Sequence, residues 1–261
     1  MLDTDGINVW CAAGKGTFGT EELVRRIEQI QLAMILSHRE LILPQLSAPG
    51  VSAHEVKRLS GFKVVYGPIL SRDLPAYVDA GNKATPEMRF KTFTTWERMV
   101  LVPVELVTAL KWAVLVGIVF LFLGGLGGPG NYWDNVLHHG FFGAVAIFLG
   151  LVSGAVLTPM LLPWLPGRAF SFKGVIPALV AAAALTAFRA NSLGSLAGNL
   201  EALAWFLIIP ALSAYLSMNF TGCSTYTSLS GVRKEMKKAV PMEIAAGSIG
   251  IVLWIGSRFI A

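Results

Sequence analysis

Charged side chains are scarce in this sequence. Asp, Glu, Lys and Arg make up only 14% of its 261 residues, whereas hydrophobic residues make up 54% and the mean hydropathy is +0.61. A soluble globular domain carries about 25% charged residues. The composition therefore excludes an ordinary soluble protein and predicts a membrane protein.

Cysteine is also scarce, with only Cys11 and Cys223 in the chain. Neither has a CxxC partner or a histidine at metal-ligand spacing, which excludes a disulfide framework and a self-contained zinc or iron–sulfur site. The acidic start of the sequence lacks the apolar core of a signal peptide. We therefore expect the first domain in the reducing cytoplasm, where a thiol stays available.

The few charges are unevenly distributed along the chain. Residues 1–99 hold 12 of the 21 Lys and Arg and 11 of the 16 Asp and Glu. This division predicts a small polar domain, residues 1–93, followed by a transmembrane helical domain, residues 94–261. The first domain has no basic run with interleaved aromatics, so the net charge of +5 does not indicate nucleic-acid binding.

The polar domain alternates between strand and helix patterns, which predicts an α/β fold with a parallel sheet, a partial Rossmann-like domain of about three βα units. The helix after Thr20 has apolar residues at helical spacing, and the next one opens on a capping-box sequence. Strands are predicted at Ile7–Trp10, Leu41–Leu43 and Lys63–Tyr66, and helices at Glu21–Leu36, Ser52–Ser60 and Asp73–Ala80.

Five apolar stretches in the second domain predict five membrane spans. They cover about Val107–Leu126, Gly140–Leu162, Phe170–Phe188, Ala202–Phe220 and Val240–Ile255. Basic residues concentrate between spans two and three and between spans four and five. The positive-inside rule then places the N-terminal domain and both basic loops in the cytoplasm and the C-terminus outside. No chain of carboxylates or histidines crosses these spans, so no proton or ion path is predicted.

A lone thiol beside small residues marks the start of the chain. Cys11 lies between Trp10 and Ala12-Ala13, and Gly14-Lys15-Gly16 follows. Small residues next to a thiol let a broad, flat ligand approach the backbone closely. On its own, a lone cysteine is usually a small buried hydrophobic residue. The glycines also match dinucleotide-binding spacing, with Glu40 as the acidic residue, but a lone match is weak.

The run Asn8-Val9-Trp10-Cys11-Ala12-Ala13-Gly14-Lys15-Gly16 resembles the signature of the corrinoid protein of microbial mercury methylation, the HgcA family. That family is related to the corrinoid iron–sulfur protein of the acetyl-CoA pathway. The resemblance extends through Phe62–Pro68, Asp79–Met88, Thr94–Arg98, Pro103–Leu106 and the multi-span tail. In that family further sequence precedes the Trp-Cys motif. We therefore expect either a shortened form or fragment, or a start that has been placed too late; the other alternative is a fold completed in another way.

The resemblance implies a corrinoid cofactor that contains cobalt, with Cys11 as the catalytic residue and axial metal ligand. Donation by its thiolate would favour transfer of a methyl group as a carbanion equivalent to Hg(II), an electrophile. Lys15 would meet a propionamide or the phosphate of the cofactor tail. Tyr66-Gly67-Pro68 ends a strand and is a second candidate for ligand contact. The implied cap over one corrinoid face consists of Asn8, Val9, Trp10, Ala12, Ala13, Gly14, Lys15 and Gly16.

The same resemblance implies partners: a methyl-folate-type donor, and a ferredoxin-like protein with two [4Fe-4S] clusters as reductant. An external reductant agrees with the lack of cluster-binding cysteines. One alternative is a corrinoid methyl carrier of acetyl-CoA synthesis, although that family is soluble. Another is a membrane scaffold or transport component with a vestigial corrinoid domain. Cys223 in a basic loop could bind mercury as a soft ligand, whereas His138-His139 is expected at the membrane interface.

Overall fold

A computed structural model describes residues 2–4, 18–128, 130–220 and 229–260. The described residues form two compact units, of which the first runs to Phe93 and the second begins at Thr94. The described chain is mostly helical.

The first unit alternates short helices with two strands. Its helices are α1 (Thr20–Gln29), α2 (Leu32–Ile35), α3 (Ala53–Ser60) and α4 (Leu74–Asp79), and its strands are β1 (Glu40–Leu43) and β2 (Lys63–Tyr66). Single 3₁₀ turns lie at Gln45–Ser47, Ser71–Asp73 and Glu87–Arg89. The two strands confirm the extended segments predicted at Leu41–Leu43 and Lys63–Tyr66.

The two strands pair in parallel, in a register that places Glu40 opposite Lys63 and Leu43 opposite Tyr66. The α3 helix makes the crossover between them, as a parallel pair requires. The third predicted strand, Ile7–Trp10, lies outside the described residues. The sheet in the described part of the chain therefore has two strands, and the larger Rossmann-like domain stays a prediction.

The core of this unit forms where α1 and α3 cover the sheet. Leu23 and Ile27 of α1 are buried, as the helical spacing predicted. The helix predicted to reach Leu36 instead breaks at Gln31, whose φ of +50° is left-handed. Because the break changes the helix direction, Met34 is 81% exposed rather than on the buried face.

The second unit contains five helices that are long and apolar enough to cross a membrane. Each predicted span overlaps one of them, and the protein is a multi-pass membrane protein. A capping box at Thr94 starts the first helix well before its apolar stretch. The helices are α5 (Thr95–Leu123), α6 (Tyr132–Leu161), α7 (Phe170–Ala187), α8 (Leu196–Asn219) and α9 (Leu229–Ile260), with a 3₁₀ turn at Ala190–Ser192 before α8.

Two stretches of α6, Val136–Gly140 and Ser153–Leu157, have π-helical hydrogen bonding. The second precedes Pro159, which lacks an amide hydrogen and clashes with the carbonyl four residues before it. The hydroxyl of Thr158 donates to the Ser153 carbonyl at 2.7 Å. The wider turn and this side-chain bond together accommodate the proline within one continuous span.

Small residues bring α7 and α8 into close contact. A Cβ added to Gly174 would lie 3.0 Å from the Ala214 Cα, so the two backbones nearly touch. Ser213 Oγ donates to the Gly174 carbonyl at 2.7 Å, and Ser217 Oγ donates to the Phe170 carbonyl at 2.8 Å. Close backbone approach and interhelical hydrogen bonds are the usual basis of helix association in lipid.

Aromatic rings from three helices pack together in the core of the helical unit. Trp254 of α9 lies 4.7 Å from Phe120 of α5 and 5.7 Å from Trp205 of α8, measured between ring centroids. Both indoles are fully buried. These rings join α9 to the other helices of the unit.

Candidate functional site

The segment predicted to hold a cofactor, Asn8–Gly16 with Cys11 at its centre, lies outside the described residues, as does Cys223. The chain that follows this segment is described. Phe18 is 1% exposed and packs in the core of the first unit, and the Arg26 guanidinium lies 5.7 Å from its ring centroid. Phe18 therefore anchors the chain two residues after the motif ends, immediately before α1.

The carboxyl ends of the two parallel strands lead into Pro44-Gln45 and Gly67-Pro68, and Arg89 Nη1 donates to Gln45 Oε1 at 3.0 Å. Gly67 follows β2, and its amide donates to the Leu43 carbonyl at 2.8 Å, which extends the pairing by one bond. The Tyr66 hydroxyl donates to the carbonyl of the buried Val51. Ligands of α/β folds bind beyond this edge of the sheet. The structure therefore places the second candidate, Tyr66-Gly67-Pro68, where the strand pattern predicted.

Gly67 cannot easily carry a side chain. A Cβ at this position would lie 2.7 Å from Ile42 Cγ2 and 3.6 Å from Tyr77 Cε1. Gly67 and Pro68 are themselves buried, whereas Tyr66 is partly exposed.

The amino ends of the same strands carry charge instead. Lys63 Nζ lies 2.8 Å from Glu40 Oε1 across the first register pair. The hydrogen bond from Lys63, reinforced by its charge, holds the pKa of the Glu40 carboxyl below its ordinary value. The same hydrogen bond raises the pKa of Lys63. This charged pair lies at the end of the sheet opposite to Tyr66-Gly67-Pro68.

Within the described ranges, no group of three or more His, Cys, Asp or Glu side chains could hold a metal ion. A corrinoid brings four equatorial nitrogens of its own to cobalt, so the protein needs to supply one axial donor. The proposed donor is Cys11, and its role stays a prediction.

The helical unit contains a polar cluster that sequence patterns do not reveal. Arg189 Nη1 donates to both carboxylate oxygens of Glu201, at 2.8 and 3.0 Å, and lies 2.9 Å from His139 Nδ1. Arg189 Nη2 donates to the His138 carbonyl. The sequence indicated only a loop charge at Arg189 and placed the two histidines at the interface. The cluster joins the start of α6, the end of α7 and the first turns of α8.

A second set of buried cations binds the other end of α6. Lys173 Nζ donates to the Leu162 carbonyl at 2.7 Å, and Arg98 Nη2 donates to the Met160 carbonyl at 3.3 Å. Cations at a helix C-terminus interact favourably with its free carbonyls and its dipole. Glu105, which also belongs to this unit, is only 7% exposed. The helical unit therefore buries more charged side chains than the apolar stretches of the sequence predicted.

These features define a multi-pass helical membrane protein with a small α/β unit before its first span. Comparison with known proteins gives no match: no protein family, curated protein or solved structure is significantly similar to the chain. The assignment of a particular activity therefore rests on the motif and on the physical character of the sites.

Proposed function

We propose that this protein is a membrane-anchored, corrinoid-dependent methyltransferase that passes a methyl group to Hg(II) and releases methylmercury. The observation that carries the proposal is the run Asn8–Gly16, in which a lone thiol is flanked by an aromatic residue and small residues. This run resembles the signature of the mercury-methylating corrinoid protein, and the chain also joins a polar unit to five apolar helices, as in that family.

The described part of the first unit has features that fit a corrinoid. Tyr66 is partly exposed at the carboxyl end of β2, the end of a strand at which α/β folds bind ligands. The motif itself leads into the core at Phe18, which is fully buried.

The chemical roles follow from the residue types. A bound corrinoid would supply the cobalt atom that carries the methyl group. The Cys11 thiolate would bind the cobalt, and its electron donation would favour transfer of the methyl group to an electrophile. Lys15 would pair with the phosphate or a propionamide of the cofactor tail. The small residues Ala12, Ala13 and Gly14 would leave room for the macrocycle.

The proposal includes orientation and partners. The basic segments Arg168–Lys173 and Arg233–Lys238, which reach into the first turns of α7 and α9, would lie in the cytoplasm together with the first unit, and the C-terminus would lie outside. A ferredoxin-like protein with two [4Fe-4S] clusters would supply low-potential electrons. A methyl-folate-type donor, or a methyltransferase that uses one, would supply the methyl group.

The first test is cobalt per chain, together with the visible spectrum, on anaerobically purified full chain after reconstitution with corrinoid. The informative variant is Cys11→Ala, and the matched control is Cys223→Ala, which removes the other thiol. We expect near-stoichiometric cobalt in the wild type and in the control, and a spectrum that changes only in Cys11→Ala. Absence of bound cobalt from the wild type would contradict the proposal.

A second test measures methylmercury formed from Hg(II) by the reconstituted protein, supplied with a methyl-folate-type donor, a methyltransferase that uses it and a low-potential reductant. We expect product from the wild type and from Cys223→Ala, and none above background from Cys11→Ala. Cobalt binding without methylmercury, but with methyl transfer to a nickel-containing acetyl-CoA synthase, would instead support the alternative of a methyl carrier.

A further inference from the structure

A polar cavity of about 570 Å³ opens at one end of the helical unit. Its walls come from the start of α6, the end of α7, the start of α8 and the end of α9. The Arg189–Glu201 cluster and Arg258 all line this cavity. It lies within the second unit and involves none of the residues proposed for methyl transfer.

Arg258 is the least expected residue of this cavity. It is only 3% exposed, and its Nε and Nη2 atoms have no hydrogen-bond partner among the described residues. Guanidinium stays protonated in proteins, so burial does not neutralise it. Burying a cation without an acceptor is costly, and such groups are normally paired.

The neighbouring side chains supply charge to Arg258 but no hydrogen bond to its Nε or Nη2. The Glu201 carboxylate interacts electrostatically with Arg258, but Arg189 already donates to both of its oxygens. Asp134 also lines the cavity, but it is exposed, where water screens its charge. Gly127 and Gly128 pack on Arg258: a Cβ on Gly128 would lie 2.6 Å from Arg258 Nη2. This glycine pair brings backbone against the guanidinium.

The start of α8 adds a second feature that favours negative charge. The Ser195 hydroxyl caps this helix by accepting from the Gly198 amide at 3.0 Å, and Ser195, Ala197 and Gly198 all line the cavity. The helix has 24 residues, and the N-terminus of a helix carries free amides and the positive end of its dipole. An anion in the cavity would meet this end and Arg258 together.

The rim of the cavity is aromatic. Phe188 lines it and is 87% exposed, and Trp133, adjacent in sequence to the lining residue Asp134, is 66% exposed. Exposed aromatic rings near span ends sit at the headgroup level of a bilayer. At that depth the abundant oxyanion is phosphate, which a guanidinium binds through paired hydrogen bonds.

We propose that this cavity binds a phosphate group that neutralises Arg258, supplied either by a phospholipid headgroup or as free phosphate. The phosphate oxygens accept from the Arg258 guanidinium and from the polar groups at the start of α8. The Arg189–Glu201 pair remains intact.

The test uses the full chain in phosphate-free detergent micelles and records its thermal unfolding midpoint. One series adds inorganic phosphate, with chloride at matched ionic strength as control. The other dopes the micelles with phosphatidylglycerol, with diacylglycerol of the same chains as control. The variants are Arg258→Gln and Arg258→Lys, and the matched control is Lys111→Gln, which removes an exposed cation of α5 outside the cavity.

A phosphate compound should raise the unfolding midpoint of the wild type and of Lys111→Gln. Chloride and diacylglycerol, the control compounds, should not. Affinity should fall at least about tenfold in Arg258→Gln, because a hydrogen-bonded charge is lost. Without ligand, Arg258→Gln should be at least as stable as the wild type, since it removes an unpaired buried cation. Arg258→Lys keeps the charge but loses the planar fork, so its affinity should be intermediate.

The two series separate the sources of phosphate. Stabilisation by inorganic phosphate identifies a free-anion site, and stabilisation by phosphatidylglycerol alone identifies a lipid headgroup site. Failure of both compounds to stabilise the wild type would overturn the proposal. Equal stabilisation of Arg258→Gln and the wild type would do the same. If Arg258→Gln does not fold, Arg258→Lys decides the test. An affinity of Arg258→Lys for the phosphate compound equal to that of the wild type would contradict the proposal.

Discussion

Arg189 and Glu201 lie on either side of the connection between α7 and α8, and their side chains meet at 2.8 Å. The same guanidinium lies 4.1 Å from the Phe142 ring centroid and so contacts α6 as well. Relative exposure of the two side chains is 21% for Arg189 and 9% for Glu201. One ion pair therefore joins three helices in a largely water-excluded place.

Replacing Glu201 with Gln should destabilise the helical unit. The change leaves Arg189 without its carboxylate in a site that is mostly closed to water, which should cost about 1–3 kcal/mol. The measurement is the midpoint of unfolding by SDS in mixed micelles. The double variant Arg189→Gln with Glu201→Gln should recover part of the loss. Glu55→Gln, which breaks an exposed pair with Arg58, is the control and should have no measurable effect.

The contact between α7 and α8 predicts opposite effects for two glycines. Gly174→Ala would place a methyl group 2.9 Å from the Ser213 carbonyl oxygen and force the helices apart, at a cost of about 1–3 kcal/mol. At Gly247 of α9, no described atom lies within 4 Å of the position that an added methyl group would take. Gly247→Ala should therefore be neutral or stabilising by up to about 1 kcal/mol. Equal destabilisation by both changes, in the same unfolding assay, would contradict this assignment of the interface.

Two capping-box sequences provide a third prediction. The Thr94 hydroxyl accepts from the Glu97 amide, and the Glu97 carboxylate accepts from the Thr94 amide at 2.7 Å. Ser52 precedes α3 with the same spacing to Glu55, but its hydroxyl lies 3.0 Å from His54 Nδ1 and caps no amide. Thr94→Ala should cost about 1 kcal/mol, whereas Ser52→Ala should cost much less. Amide hydrogen exchange in the first turns of α5 and α3 measures both effects, and faster exchange in α3 alone would reverse the assignment.

The pair at the amino end of the sheet predicts a pH dependence. Because Lys63 holds the Glu40 pKa below its ordinary value of 4.5, the ionised carboxylate stabilises the fold above that pH. This contribution is lost as the pH falls below 4.5 and through the lowered pKa. Lys63 has a raised pKa, so its contribution is present below 10.5 and is lost as the pH rises through that raised value.

NMR titration of the glutamate carboxyls in the full chain measures this pair directly. In Lys63→Gln, Glu40 should titrate at a higher pH than in the wild type. Glu55, whose pKa is lowered by its own hydrogen bond with Arg58, is the internal control and should not change. An unaltered Glu40 titration would show that the ion pair does not persist in solution.

Local patterns predicted most of the elements correctly. The strands at Leu41–Leu43 and Lys63–Tyr66, their parallel pairing and the five apolar helices all follow from periodicity and composition. The break at Gln31 could not be predicted in this way, because Leu32 through Leu36 continue an apolar pattern and no Gly or Pro marks the turn. Likewise the capping-box spacing at Ser52 is present, but a histidine two residues on competes for the hydroxyl.

The polar sites of the helical unit could not have been predicted. Arg189, Glu201 and His139 come from three different helices or their ends, and Arg258 lies 57 residues beyond Glu201 in the sequence. No spacing rule connects them, since helix packing alone brings them together. The unpaired state of Arg258 is visible only once its burial is known. The predicted cofactor segment, by contrast, is a sequence motif whose role awaits measurement of bound cobalt.

The length of α7 has a consequence for the surrounding lipid. With 18 residues, α7 is about 27 Å long, whereas the hydrocarbon core of a typical bilayer is about 30 Å thick. The adjoining α8 is held against it by Gly174 and Ser213, so α7 cannot lengthen or slide to compensate. A short span is accommodated by local thinning of the bilayer, by its flanking residues or by association with other helices. The place where the protein meets a thickness mismatch is thus fixed at α7.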